Sequence, residues 1–161
     1  MTERVYGFEP FVRADSRLLI LGSFPSVKSR QQNFYYGNRQ NAFWRILSTF
    51  FKCHMPDTVV DKMTFLAEHR IALWDIVTSC EISGSADSTI KNYEVADLND
   101  ILAMCRIEKI ILNGAMAYKI FLKKYSNIAV PYIKLPSTSP ANALRNDNEW
   151  FDELRATFEQ T

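Results

Sequence analysis

Apolar residues in this chain fall into short unbroken blocks, separated by longer stretches in which they recur every three or four positions. Leu18 to Ser23 (LLILGS) is apolar until it breaks at a Gly-Ser-x-Pro turn, and Ile71 to Asp75, Lys109 to Asn113 and Tyr132 to Leu135 repeat the pattern. Blocks of this length predict strands buried on both faces. From Asn41 to Lys52, Phe43, Trp44, Leu47 and Phe51 stand at helical spacing with Asn41 placed to cap them, and Asp57 is placed to cap a helix that runs to about Arg70. Asp97 to Arg106, Ala115 to Tyr125 and Asn148 to Phe158 predict three more helices. Strands alternating with helices imply an α/β fold, a three-layer α/β/α sandwich around a central, mainly parallel four-stranded sheet. Ligands of such sheets bind beyond the carboxyl ends of the strands. Here those ends are Ser23, Asp75, Asn113 and Ser137, small polar residues that also suit simple turns.

The 161 residues are 47% hydrophobic with no shift in composition along the chain, so residues 1–161 read as a single domain. No internal repeat is present. The first ten residues hold Glu3, Arg4 and Glu9 and no apolar core of a signal, and no apolar run reaches membrane-spanning length, so a cytoplasmic protein without a membrane partner is expected. Cys53, Cys80 and Cys105 are odd in number and widely spaced, which predicts buried reduced thiols rather than disulfides or a metal site. His54 and His69 are expected at exposed helix ends and not in a metal set. Gly84, Ser85 and Asp87 read as turn and cap chemistry before Ile90. Neither a P-loop nor a G-x-G-x-x-G follows a strand, so no nucleotide cofactor, and no cofactor of any kind, is expected.

Charge changes this picture. Ser16 to Pro56 holds six cations (Arg17, Lys28, Arg30, Arg39, Arg45, Lys52) and no acid, and Lys109 to Asn146 again holds six (Lys109, Lys119, Lys123, Lys124, Lys134, Arg145) and no acid. All 18 carboxylates lie outside these windows, although the net charge is only +1. Solvated helix faces produce charge runs too, but acid-free windows of this length suit a surface that faces phosphates.

The first window contains LGSFPSVKSRQQNFYYGNRQNAFW, Leu21 to Trp44. A loop leaves the first strand through Gly22, Ser23 and Pro25, passes polar and basic residues, reaches Phe34, Tyr35 and Tyr36, and returns to a helix near Asn41. Backbone N–H groups at the helix start and flat aromatic faces among cations suit an extruded base and its phosphates. Core packing is the competing role for these aromatics, and the better one for Phe43 and Trp44.

The pattern GxxPS, a polar loop, aromatics and then N-x-FW resembles the uracil-DNA glycosylase superfamily, especially its mismatch-specific branch. LPSTSPANA, Leu135 to Ala143, is similar to that superfamily's second motif, a loop that enters the minor groove beside the flipped nucleotide. The likeness is nearest to DNA-deoxyinosine glycosylases, through GSFPS at Gly22 to Ser26, YYGNRQNAFW at Tyr35 to Trp44, LWDIV with GSADSTI in the middle, and PSTSPANA near the end. It runs from about Gly7 to Trp150. Where uracil-removing branches carry an Asp or Asn in the first motif to position water, this chain has Phe24, and where the second motif begins with His in the main uracil branch it has Ser137. Arg39 stands where the family more often has Pro.

The resemblance implies a DNA-repair glycosylase that flips a deaminated nucleotide out of double-stranded DNA as a monomer. Hypoxanthine is the expected base, with uracil or xanthine as further substrates. By the same resemblance Asn41 is the principal catalytic amide, Asn113 assists it, and Gly22, Ser23, Phe24 and Tyr36 hold the base. Ser137, Thr138, Ser139, Pro140, Ala141 and Asn142, with Arg145, Lys28 and Arg30, would face the DNA, and Leu144 or Arg145 would fill the gap in the stack. Hypoxanthine offers an acceptor at O6 and a donor at N1, which the Asn41 amide matches, but a flipped amide would match adenine equally. Backbone groups of Gly22 to Ser26 and the Asn113 side chain are expected to fix its orientation. A helix cap is the competing role for Asn41. No lysine is placed to form a Schiff base, so no strand nicking is expected. A damage-binding module without catalysis is the alternative function. A hydrolase built on Ser23 or Ser137 lacks an evident His base.

Overall fold

The computed structural model describes residues 3–142 and 145–159. Four strands form a parallel sheet: β2 (Leu18–Gly22), β3 (Ile71–Asp75), β6 (Lys109–Asn113) and β7 (Tyr132–Leu135), in the order β3-β2-β6-β7. Leu18 pairs with Ile71 on one side and Lys109 on the other, and Asn113 pairs with Leu135, so the strands end nearly level. The strand boundaries agree with the apolar blocks, except that β2 stops at Gly22, one residue before Ser23.

Side chains of a strand alternate between faces, and this splits the core in two. Leu19, Leu21, Ala72, Ile110 and Leu112 point toward helices α4 (Asn99–Met104) and α5 (Ala115–Tyr125), packing on Ile101, Ala117, Ile120 and Phe121. Leu18, Ile20, Ile71, Leu73 and Ile111 point the other way, toward α2 (Phe43–Phe51), α3 (Val59–Glu68) and α6 (Asn148–Phe158), where they meet Phe43, Leu47, Phe65, Leu66, Trp150 and Leu154. The expected three layers are present.

Two elements depart from the sequence reading. A three-stranded antiparallel sheet, β1 (Arg4–Tyr6), β4 (Val77–Glu81) and β5 (Lys91–Val95), lies beside the first core in the order β1-β4-β5. Its strands carry too few apolar residues to announce themselves, and β4 follows β3 after Ile76 alone. The segment read as loop after Pro25 forms a short helix, α1 (Val27–Gln32), capped by the Ser26 hydroxyl, which accepts the Ser29 N–H. Local capping makes this helix, since an apolar period is absent.

Smaller expectations also change. Thr58, not Asp57, caps α3. Cys80 and Cys105 are buried thiols, but Cys53 is exposed. His69 is no exposed helix end: it is half-buried, stacks on Phe51 at 3.8 Å between centroids, and places Nδ1 2.9 Å from the Phe65 carbonyl. No helix among the described residues is long and apolar enough to cross a membrane.

Candidate active site

Beyond the carboxyl ends of β2, β3 and β6 lies a cavity of about 350 Å³. Ser23, Asp75, Asn113 and Ser137 all line it, with Gly22, Phe24, Tyr36 and Asn41 and with Thr138 to Asn142. The segments that build it leave the sheet at one edge and are tied to each other by side-chain amides and hydroxyls.

Asn113, at the end of β6, is buried and uses both ends of its amide on one residue. Its Oδ1 accepts the Thr138 N–H at 3.0 Å, and its Nδ2 donates to the Thr138 hydroxyl at 3.0 Å. The Thr138 carbonyl in turn accepts the Ala42 N–H, which joins the loop after β7 to the start of α2. Asn142 donates to the Ser137 carbonyl and closes the loop on itself. At Gly114 φ is +100° and an added Cβ would lie 3.0 Å from the Ser137 side chain, so glycine lets this loop close over β6.

Asn41 sits at the start of α2, half-buried at the cavity wall. Its Oδ1 accepts the Phe43 N–H at 3.0 Å. A backbone N–H bonds only an acceptor, so the amide is held oxygen-inward and offers its NH2 end to the cavity. Ala42, not Asn41, is the N-cap of α2 and no side chain caps that helix; the Asn41 bond to the N–H two residues on is an Asx turn at the helix entrance, and it leaves the NH2 end free to read a base. What fixes the amide is the N–H of the first residue of α2; the Asn113 amide, expected to do so, bonds Thr138.

Tyr36 is the aromatic that reaches the cavity best. Its backbone is left-handed (φ 53°), which turns the ring back onto Phe43, stacked at 4.0 Å and 19°. One face is therefore covered, leaving a single face for a base. Phe34 and Tyr35 belong to the core; Tyr35 donates to the Glu9 carbonyl. Phe24 is buried, with the Arg30 guanidinium 5.8 Å from its ring center.

The cavity floor holds a group that sequence reasoning counted only as a strand end. Asp75 is buried, and its Oδ2 has no hydrogen-bond partner; the hydroxyl of Tyr36 has none of good geometry, only the nearby Asn113 amide. A Cβ on Gly22 would lie 2.5 Å from Asp75 Oδ1 and 3.0 Å from the Tyr36 hydroxyl, so glycine at this position makes room for both. Burial, and after it the negative charge of Asp87, push the Asp75 carboxyl up to about 7. Burial and the Asp75 charge likewise raise the Tyr36 phenol against the opposing Asn113 amide, and it stays protonated.

Asp87, read as turn chemistry, lies at the rim. It begins a short 3-10 turn, Asp87–Thr89, and accepts the Ser23 hydroxyl at 2.8 Å. Partial burial raises its carboxyl, and the Ser23 hydrogen bond opposes that. The turn is clamped to α1: Ser85 accepts the Val27 N–H and Arg30 donates to the Gly84 carbonyl at 2.7 Å. The cavity thus contains two carboxyl groups, although its first motif supplies none. An acidic residue that ends an otherwise apolar strand was the signal for Asp75; Asp87 had none before the 82–90 segment folded against Ser23.

The expected DNA-facing cations divide. Lys28 and Arg39 are exposed, between residues that line the cavity. Arg30 is engaged as above, and Arg145 bonds Asp147 Oδ1 at 2.8 Å and the Asn142 carbonyl at 3.0 Å, so its guanidinium braces the loop instead of projecting as a plug. Arg45 also pairs with Asp147. Arg17 and Lys109 pair with Glu108 and Glu153 at the opposite edge of the sheet. The two acid-free windows therefore do not form one phosphate-facing surface. Ala143 and Leu144, the latter the other expected plug, lie outside the described residues.

A model of the family described as the Uracil DNA glycosylase superfamily matches residues 9–159. The chain is 32% identical over 151 residues to a hypoxanthine DNA glycosylase of Methanosarcina acetivorans, covering 89% of this chain and 94% of that one. It is 30% identical over 110 residues to a hypoxanthine DNA glycosylase of Methanosarcina barkeri, covering 67% and 70%. The solution NMR structure of a candidate uracil DNA glycosylase from Methanosarcina acetivorans superposes with a TM-score of 0.82 at 29% identity, over 96% of this chain and 99% of that one.

Proposed function

Because the chain belongs to the uracil DNA glycosylase superfamily, we propose that it hydrolyses the N-glycosidic bond of a deaminated base in double-stranded DNA, with hypoxanthine as the principal base. Both named relatives are hypoxanthine DNA glycosylases. The observation that carries the reading to this chain is the Asn41 amide, pinned through its oxygen to the Phe43 N–H.

An NH2 group held toward the cavity meets the keto oxygen O6 of hypoxanthine. Adenine places an amino donor at the same position, so two donors would face each other and one would stay unpaired in a water-poor site. That mismatch is costly, and it separates the damaged base from its parent. As the glycosidic bond breaks, negative charge spreads onto the base, and the same NH2 stabilises it; a well-placed donor of this kind is worth roughly 3–4 kcal/mol. The open face of Tyr36 stacks on the base, and Phe24 closes the wall. DNA phosphates stabilise the positive charge on the sugar, and Asp87, on the Ser23 hydroxyl at the mouth, adds a carboxylate on that side. No lysine is among the described residues that line the cavity, which favours hydrolysis by water over a Schiff base.

Residues Ser137 to Asn142 form a rigid, small-residue loop at the mouth that suits the minor groove beside an extruded nucleotide. The test is a panel of duplex oligonucleotides bearing one hypoxanthine, uracil, xanthine or G:T mismatch, treated with protein and then alkali. Strand breaks at hypoxanthine, and none before alkali, are expected. Intact deoxyinosine strands together with tight binding would point instead to a module that recognises damage without removing it.

A further inference from the structure

The Asp75 carboxyl and the Tyr36 hydroxyl are both buried at the cavity floor; Asp75 Oδ2 has no hydrogen-bond partner in the protein, and the hydroxyl has none of good geometry, with only the Asn113 amide close enough to act on it. Buried polar atoms are nearly always paired, and a carboxyl oxygen left unpaired on the wall of a cavity, beside a weakly held hydroxyl, marks a place where a ligand completes it. Space for them is built in, since any side chain at Gly22 would collide with both. Asn113 stands nearby and bonds Thr138 with both ends of its amide, and the remaining Nδ2 hydrogen serves the Tyr36 hydroxyl and not Asp75.

We propose that Asp75 is the general acid of the reaction: beside the Tyr36 hydroxyl, its carboxyl group meets N7 of the extruded purine and passes it a proton as the C1′–N9 bond breaks. The proposal rests on the reading of the cavity as a site for a base in DNA. If the Asn41 NH2 meets O6, the neighbouring acceptor on the same edge of hypoxanthine is N7, while the neighbour on the other side, N1, carries a hydrogen. A carboxylic acid complements N7. Uracil has a C–H in the corresponding place, so Asp75 selects purines.

The electron pair of the C1′–N9 bond leaves with the base, the proton from Asp75 Oδ2 neutralises it, water adds to C1′ and releases a proton, and Asp75 is reprotonated from solvent. The titratable groups facing Asp75 are Tyr35 and Tyr36, from the segment after α1, and Asp87, from the turn after β4. No lysine or arginine is among the described residues that line the cavity. Nothing there favours the ionised form, and burial with Asp87 keeps the proton on Asp75 up to about pH 7.

The test is single-turnover release of hypoxanthine from a deoxyinosine duplex between pH 5.5 and 9, for the wild type and Asp75→Asn. Wild-type rates should fall about tenfold per pH unit above the Asp75 midpoint, a midpoint that carboxyl carbon NMR of the free protein should reproduce approximately. Asp75→Asn should bind the duplex, release base roughly 10²–10³-fold more slowly at pH 6, and lose this pH dependence. Equal rates in the two proteins, or a wild-type profile flat from pH 6 to 9, overturn the proposal while leaving the glycosylase reading intact. The wild-type profile decides the matter even if the variant does not fold. No release of hypoxanthine by the wild type at any pH would overturn the glycosylase reading and this proposal together.

Discussion

Asn113 holds Thr138 with both ends of its amide, each at 3.0 Å, and so fastens the loop after β7 to the end of β6. A residue expected to assist the chemistry is in this structure a positioning residue for the cavity wall. Asn113→Ala should lower stability by about 2–3 kcal/mol, because two buried hydrogen bonds go and the Thr138 N–H is left unpaired. Thr138→Val, which keeps that N–H, should cost less, about 1–2 kcal/mol. Urea unfolding of the two variants measures the difference; equal losses would show that the backbone half of the clip does not matter.

Gly22 is the second structural prediction. A methyl group there lies 2.5 Å from Asp75 Oδ1. Gly22→Ala should therefore displace the carboxyl or the strand end, at a cost of about 1–3 kcal/mol, and should reduce base release by more than its loss of stability explains. Retention of full activity would mean that Asp75 need not sit where it does.

Stability should depend on pH through Asp75. Its carboxyl is raised from an ordinary 3.8 to about 7, so the folded protein holds this proton more tightly than the unfolded chain. The resulting stabilisation is complete below about pH 4 and is lost as pH rises to about 7. Asp75→Asn carries no such titration. Relative to the wild type it should gain stability as pH rises through that interval, by an amount on the order of 4 kcal/mol at most, at about 1.4 kcal/mol per pH unit. Denaturant melts at pH 5 and pH 8 test this. A difference between the two proteins that does not change with pH would mean that Asp75 is ionised in the folded state at both values.

The structure also sorts the cations. Lys28→Ala should weaken DNA binding evenly across sequences and reduce the slope of log affinity against log salt by about 1, since its ammonium is exposed beside the cavity. Arg145→Ala should act on stability, because the guanidinium braces Asn142 and Asp147. Salt titrations of binding separate the two; an unchanged slope for Lys28→Ala would remove it from the DNA face.

These assignments show what the chain discloses before it folds. The parallel sheet was legible because β2, β3, β6 and β7 are buried apolar blocks, and α5 and α6 because their apolar period is undisturbed. The edge that carries the cavity followed from strand direction alone. The antiparallel sheet was not legible: β5 (KNYEV) is half-exposed and polar, and its place depends on pairing with β4. Nor could spacing show that Arg30 and Arg145 are spent on carbonyls and on Asp147, that Phe34 and Tyr35 face inward, or that Asp87 reaches Ser23. Each of these depends on segments distant in sequence. Asn41 shows the limit most clearly, since its two proposed roles competed until the direction of its amide was known.

The most direct test of the account is the release of free hypoxanthine from a deoxyinosine duplex under single-turnover conditions by the wild type and by Asn41→Ala, with duplex binding measured in parallel. Loss of the Asn41 NH2 is predicted to slow release by roughly 10²–10³-fold, with binding retained and stability lowered by about 1 kcal/mol through the lost hydrogen bond to the Phe43 N–H. Release at the wild-type rate by a folded Asn41→Ala protein would contradict the account and leave Asn41 as a turn residue before α2 alone.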